Sequence, residues 1–107
     1  MHLRHPSVLA AYAGRNTGMF CMTVADFGVG MVTVGGISVD AATQEQSAAM
    51  ARRGRSEFLF DDCGAFIRDA LDVLDGCGAR VAVNIRSATL EGYVGAAERV
   101  DECGGIV

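Results

Sequence analysis

The sequence has one proline among 107 residues, no tryptophan, and no apolar run near the roughly 20 residues of a membrane-spanning helix. The short apolar run after Arg4 is broken by Arg15 and Asn16, which argues against a signal peptide. Half of the residues are hydrophobic, so the chain can bury a core as one small domain or as part of a larger one. We therefore expect no membrane partner.

A basic excess is also lacking. The formal net charge of -4 gives no electrostatic footprint for nucleic acid, and the one basic cluster, Arg52, Arg53 and Arg55, is typical of a helix C-terminus. The four cysteines include no C-x-x-C pair and match no zinc spacing, so we predict no metal site. Without a secretory signal they predict reduced thiols and a cytoplasmic protein, with Cys21 as a core residue.

Nucleotide-binding motifs and acid–base constellations are missing as well. No G-x-G-x-x-G lies between a strand and a helix and there is no P-loop, which disfavours Rossmann and Walker nucleotide sites. His2 and His5 precede the first predicted strand, and Asp61 and Asp62 are explained as helix caps, like Asp40. The sequence therefore assigns no catalytic residue.

An alternation of strand and helix patterns is present. Short apolar segments bounded by glycine or polar residues predict three strands, at Val8–Ala11, Met31–Val34 and Arg80–Ile85. Helical spacing and capping residues predict four helices, at Gly18–Phe27, at Ala41–Arg53, after Asp61–Asp62, and, behind a cap at Ser87 or Thr89, at Leu90–Glu102. Gly35 and Gly36 are predicted to end the second strand, and Ile106–Val107 to begin a fourth.

This order predicts an α/β fold with a parallel sheet and right-handed crossovers. Two architectures remain open, an open doubly wound sheet or part of a (β/α)8 TIM barrel. A whole barrel needs roughly 250 residues, so residues 1–107 would form a single partial domain, the N-terminal half-barrel, with an extra helix between strands 2 and 3. The last residues, at the start of a buried strand, also indicate a fragment.

Functional residues of both architectures gather at the carboxyl ends of the strands. The sequence offers three such ends, at residues 11–16, 35–38 and 84–87. Asn84 follows Val81–Val83 inside or at the lip of a buried strand, where its amide needs hydrogen-bond partners. A ligand edge or the neighbouring strand could provide them, and both alternatives remain open. Arg86 could bind a phosphate or carboxylate, or could simply be exposed.

Two segments carry a resemblance to a known family. "LAAYAGRNTGMFCMTVADFGVGMVTVGGIS", Leu9–Ser38, resembles the opening of the flavin-dependent dihydrouridine synthases, in which a first strand runs into an L-A-P-M-A-G-V-T-D type turn. "RVAVNIRSATLEGYVGAAERVDECGGIV", Arg80–Val107, resembles their later P-V-x-V-Q-L-x-G strand and the helix after it. The whole chain is most similar to an archaeal branch of TIM-barrel proteins related to that family.

The resemblance implies a cofactor, flavin mononucleotide (FMN). In the family the first turn passes beneath the flavin ring, so Ala11, Tyr12 and Ala13 would line the cofactor here. Asn84 would stand where the family has a glutamine that hydrogen-bonds the ring, whereas Ala11 and Tyr12 replace the family's proline and methionine. The family's catalytic cysteine, flavin-binding lysine and phosphate-binding loops would fall after Val107.

The implied reaction is hydride transfer from reduced flavin to a uracil C5–C6 double bond in tRNA, with NAD(P)H as the reductant. One alternative is a flavoenzyme like the dihydroorotate or dihydropyrimidine dehydrogenases, acting on a free pyrimidine. Another is a non-catalytic half-barrel that associates with another chain. Because an opened barrel exposes strand edges and apolar faces, we expect the isolated chain to self-associate or to need a C-terminal half.

Overall fold

A computed structural model of the chain describes residues 2–59 and 62–107. Its strands are β1 Val8–Leu9, β2 Met31–Ser38 and β3 Arg80–Arg86. Its helices are α1 Gly18–Ala25, α2 Ala41–Arg52, α3 Cys63–Val73 and α4 Leu90–Glu102. The sheet has the order β1-β2-β3, and both strand pairs are parallel. The predicted α/β fold with a parallel sheet, and the extra helix between the second and third strands, are confirmed at this level.

The last residues of the chain return to the sheet beside β3. Ile106 forms a parallel bridge with Ala82, its N–H donates to the Val81 carbonyl at 2.9 Å, and its carbonyl accepts from the Val83 N–H at 2.7 Å. The fourth strand predicted at Ile106–Val107 is therefore present as a single bridge. Spatial order follows chain order across the sheet, because Ile106 lies next to β3 and not next to β1.

One apolar core joins the sheet to the helices. Val32 and Val34 of β2 and Val83 and Ile85 of β3 point to the same face, because side chains alternate along a strand. They pack with buried residues of α1, α3 and α4, namely Cys21, Ala25, Ile67, Ala70, Leu71, Ala96 and Val100. The predicted apolar face of the third helix is confirmed, since Leu74 is buried as well and Phe66 packs against the same core. The opposite face of the sheet carries Asn84.

Each helix begins at a residue whose side-chain oxygen accepts a backbone N–H of the first turn. These N-caps are Thr17, Asp40, Asp62 and Thr89. The caps predicted at Asp40 and at Thr89 are confirmed, and α4 has its predicted bounds. Of the two predicted caps Asp61 and Asp62, the second caps α3, while the first lies outside the described residues. No helix in the described ranges is long and apolar enough to cross a membrane.

Two predicted strand ends were wrong by two residues or more, and β3 ends at Arg86, one residue after its predicted end. β1 ends at Leu9 rather than Ala11, because the Ala10 carbonyl accepts a hydrogen bond from Asn16 Nδ2 at 2.8 Å instead of from a neighbouring strand. β2 does not end at Val34 but continues to Ser38. Its two glycines form a β-bulge, in which two residues of β2 lie opposite one residue of β3, so they lengthen the strand instead of closing it.

The predicted end of α1 was also wrong, by two residues. The helix ends at Ala25 rather than Phe27, and its C-cap is Asp26. A tighter turn follows, in which the Phe27 N–H donates to Val24 O and the Gly28 N–H to Ala25 O. Phe27 is 86% exposed, so no core contact extends the helix past this turn.

Candidate functional site

The carboxyl ends of the three strands meet at the glycine bulge of β2. On one side the Tyr12 N–H donates to the Gly35 carbonyl at 3.1 Å. On the other side Asn84 covers the bulge. A Cβ on Gly35 would lie 2.5 Å from the Asn84 carbonyl oxygen, and one on Gly36 would lie 2.6 Å from its Oδ1. Only glycine leaves room for this approach. The first turn, the bulge and Asn84 therefore form a row across the sheet.

Asn84 is exposed, between the buried Val83 and Ile85. The prediction that its amide is buried was wrong, because strand alternation turns it to the face of the sheet opposite the apolar core. Its side chain makes no hydrogen bond within residues 2–59 and 62–107, so no neighbouring strand occupies the amide there. The amide is free to bind a ligand edge, and that role stays a prediction.

Within the described residues, the backbone of the first turn is partly unpaired. Ala11 and Tyr12 are exposed and Ala13 is half-buried. The N–H groups of Ala11 and Ala13 donate to no carbonyl in the described part of the chain. Tyr12 is 59% exposed, and the Arg15 guanidinium lies 5.8 Å from the centroid of its ring.

Two cavities lie at the first turn, and Ala11, Tyr12 and Arg15 line both of them. The first, which we call the apolar groove, has about 480 Å³ and is otherwise lined by Leu9, Ala10, Asn16 and Phe20. The second, which we call the arginine cleft, has about 520 Å³ and is otherwise lined by Ala13, Gly54, Arg55, Ser56 and Glu57. Both volumes fall in the range of small-molecule sites. The three predicted turn residues, Ala11, Tyr12 and Ala13, therefore line concave surface.

Asn16 fixes the first turn to β2. It is 1% exposed, and its Nδ2 donates to the carbonyls of Ala10 and Thr33, each at 2.8 Å. Its own carbonyl accepts from the Gly35 N–H at 3.2 Å. Because only the amide nitrogen can donate to both carbonyls, the side-chain orientation is determined. The sequence indicated Asn16 only as part of a polar turn. Its role in fixing the turn could have been inferred from an amide residue that stands directly before the Thr17 cap and close to the end of a strand.

Arg86 binds a carboxylate, as predicted, but that carboxylate belongs to the chain itself. Its Nη2 donates to Ser47 Oγ of α2 at 2.8 Å and to Glu57 Oε2 at 3.1 Å. The Glu57 side chain is only 5% exposed, so its carboxylate is committed to this ion pair. Ser47 Oγ also lies 2.9 Å from Ser38 Oγ at the end of β2. Arg86 thus fixes α2 and the segment behind it to the carboxyl ends of the strands.

Asp40 joins the ends of β2 and β3. Its Oδ2 accepts from the Ser87 hydroxyl at 2.5 Å and the Ala88 N–H at 2.7 Å, while its Oδ1 accepts from the hydroxyl and the N–H of Thr43. These donors, the Ser87 hydroxyl foremost, hold the pKa of the Asp40 carboxyl well below its usual range. The folded state therefore favours the charged form of the Asp40 carboxyl.

This carboxylate predicts a pH dependence of stability. A pKa that is lower in the folded state means that the contribution of Asp40 is present above the unfolded value, near about 4, and is lost as the pH falls below it. Asp40→Asn removes the titrating group. We expect the variant to be less stable at neutral pH, and the gap to shrink on acidification in urea titrations at a series of pH values. A gap that stays constant into the acid range would contradict this role.

Cys21 is confirmed as a core residue, since it is fully buried. Burial raises the pKa of its thiol to about 11, and Cys77 adds a smaller contribution. The thiol is therefore protonated and unreactive at neutral pH. The described ranges contain no group of three His, Cys, Asp or Glu side chains placed to bind a metal.

The chain is similar in sequence to a protein of an archaeon. The sequence is 33% identical over 86 residues to "Uncharacterized protein MJ0144" of Methanocaldococcus jannaschii. The match covers 78% of this chain and 33% of the relative, so the chain spans about a third of the length of the relative it matches. No family model matches the sequence. No solved structure matches it.

Proposed function

We propose that this chain forms the N-terminal half of a TIM-barrel flavoprotein, an FMN-dependent oxidoreductase that resembles the dihydrouridine synthases. The order of the strands supports the proposed barrel architecture. In a doubly wound sheet the order reverses, and the fourth strand lies on the far side of the first. Here Ile106 lies next to β3, so spatial order follows chain order, as it does around a barrel.

The length of the archaeal relative is consistent with the same architecture. The 86 aligned residues are 33% of that protein, which is therefore about 260 residues long, close to the roughly 250 residues of a whole (β/α)8 barrel. A longer chain of this kind has room for the strands that would close the barrel beyond the two free edges of this sheet.

The row formed by Ala11–Ala13, the glycine bulge and Asn84 carries the functional proposal. The backbone of the first turn is exposed beside an amide whose donor and acceptor atoms are unoccupied in the described part of the chain. An isoalloxazine ring has a pyrimidine edge with alternating donors and acceptors, which an amide can pair with. Bound FMN would supply hydride transfer, with NAD(P)H as the reductant. This chain's residues would bind and orient the ring.

The substrate follows the family resemblance, a uracil base of tRNA whose C5–C6 double bond is reduced. A free pyrimidine, as in a dihydroorotate or dihydropyrimidine dehydrogenase, is the alternative within the same chemistry. Both place a flat ring above the flavin, so the row at the carboxyl ends serves either one.

The exposed apolar residues favour a second candidate, a half-barrel that associates with another chain. Val8 and Phe20 are exposed at the β1 edge, and Leu90, Tyr93 and Val94 are exposed on α4. Another chain or a C-terminal half would cover both of these apolar surfaces. Native mass spectrometry of the isolated chain distinguishes the cases, because a self-sufficient half-barrel is a dimer or larger and a monomer needs its C-terminal half.

Replacing Asn84 tests the flavin site. Asn84→Ala removes one or two hydrogen bonds to the ring, each worth roughly 0.5–1.5 kcal/mol, so the Kd for FMN should rise by up to roughly a hundredfold. The fold should survive, because the side chain is exposed and makes no hydrogen bond within the described ranges. Quenching of flavin fluorescence measures the affinity.

Arg80→Ala is the matched control, since Arg80 lies at the opposite end of the same strand. Its affinity for FMN should equal that of the wild type. An unchanged affinity in a folded Asn84→Ala protein would exclude Asn84 from the flavin site.

A further inference from the structure

We propose that the arginine cleft binds the phosphate group of a nucleotide substrate. The inference rests on the proposed function, because it places the substrate phosphate beside a flavin seated on the neighbouring row. It adds two substrate-binding residues, Arg15 and Arg55, to which the family resemblance gives no role.

The two arginines are brought together by a close contact of backbones. Gly14 has a φ of +76°, and a Cβ on it would collide with Ser56 Oγ and lie 2.5 Å from the Glu57 nitrogen. The segment that follows α2 is therefore seated directly on the first turn. Arg15 and Arg55 consequently line the same cleft of about 520 Å³, at the carboxyl ends of the strands.

Both guanidinium groups are free to bind an anion. Arg15 and Arg55 are exposed, and neither side chain makes a hydrogen bond or ion pair within residues 2–59 and 62–107. Glu57 also lines the cleft, but it is 5% exposed and paired with Arg86. Two uncompensated positive charges therefore face one cavity, in a chain whose formal net charge is -4.

The chemistry of the cleft favours a nucleotide phosphate over a carboxylate. A single guanidinium satisfies a carboxylate bidentately, whereas a phosphate has enough oxygens for two. Tyr12 lines the cleft as well, and the Arg15 guanidinium lies 5.8 Å from the centroid of its ring. The backbone of Tyr12 belongs to the row proposed to bind the flavin, so a phosphate in the cleft would lie beside the cofactor. The base of the same nucleotide would then lie above the flavin ring.

Calorimetric titration with uridine 5′-monophosphate and with uridine tests the cleft. Arg15→Gln and Arg55→Gln should each weaken binding of the monophosphate about tenfold or more, because each removes a charge-assisted hydrogen bond. Binding of uridine should be the same in all variants. Arg68→Gln is the matched control, since Arg68 is exposed on α3 and loses the same charge outside the cleft. A short oligouridylate distinguishes the source of the phosphate, because tighter Arg-dependent binding of the oligomer indicates a polynucleotide and equal binding indicates a free nucleotide.

Three results would overturn the proposal. The first is monophosphate binding that is absent or unchanged by both substitutions. The second is an Arg-dependent preference for orotate over uridine 5′-monophosphate, which would assign the cleft to a carboxylate. The third is an Arg-dependent loss of FMN affinity with unchanged riboflavin affinity, which would assign the cleft to the cofactor's phosphate. Failure of the flavin proposal is separate, because it would appear as an absence of FMN binding by the wild-type chain.

Discussion

Replacing Asn16 with alanine should lower the free energy of unfolding by about 2 kcal/mol, within a range of about 1–3 kcal/mol. The substitution leaves the carbonyls of Ala10 and Thr33 without the amide that now donates to both at 2.8 Å. Asn16 is 1% exposed, so water does not readily replace the lost donor. The cost is a large fraction of the stability of a small domain. Urea denaturation followed by circular dichroism measures it.

Asn84→Ala is the matched control, because it removes the same side chain from an exposed position. Its free energy of unfolding should stay within about 0.5 kcal/mol of the wild-type value. If both asparagine variants lost the same stability, the first turn would not depend on the two hydrogen bonds of Asn16. The same pair also separates binding from folding, since only Asn84 is proposed to contact the flavin.

Gly35→Ala should strongly destabilise the protein, with a loss of about 3 kcal/mol or more in the free energy of unfolding. Gly35 has a φ of +109°, a region that L residues avoid, and a Cβ there would lie 2.5 Å from the Asn84 carbonyl oxygen. The bulge would have to open or the strands would have to separate. Thermal and urea unfolding of the variant would show the loss.

Gly28→Ala isolates the contribution of the steric contact. Gly28 has a comparable φ of +94°, but a Cβ there meets no atom within 4 Å. It should lose only the backbone strain, about 1–2 kcal/mol. Equal losses in the two variants would mean that the approach of Asn84 to the bulge does not restrict Gly35.

The helices could be predicted from the sequence because their signals are local. Asp40 and Thr89 each cap a helix through their own side chains, and Thr89 fixes the first residue of α4. β2 could not be predicted past Val34, since paired glycines usually end a strand. Whether they end it or form a bulge depends on β3, which lies far away in the sequence.

The candidate site was predictable in its location but not in its contacts. Strand ends of a parallel sheet meet at one edge, so the approach of Tyr12 and Asn84 to the glycine bulge follows from the strand assignment. The ion pair of Arg86 with Glu57 does not, because it depends on how the segment after α2 folds back onto the first turn. Long-range side-chain contacts of this kind leave no periodic signal in a sequence.

The central claim is that flavin binds at the row of Ala11–Ala13 and Asn84. Titration of the 15N-labelled chain with FMN, followed by 1H–15N NMR, tests it most directly because it detects weak binding residue by residue. The claim predicts saturable shifts of the backbone amides of Ala11 to Ala13 and of the Asn84 side-chain amide, with α3 unaffected. Shifts confined to other surfaces, or no shifts at the highest flavin concentration, would contradict it.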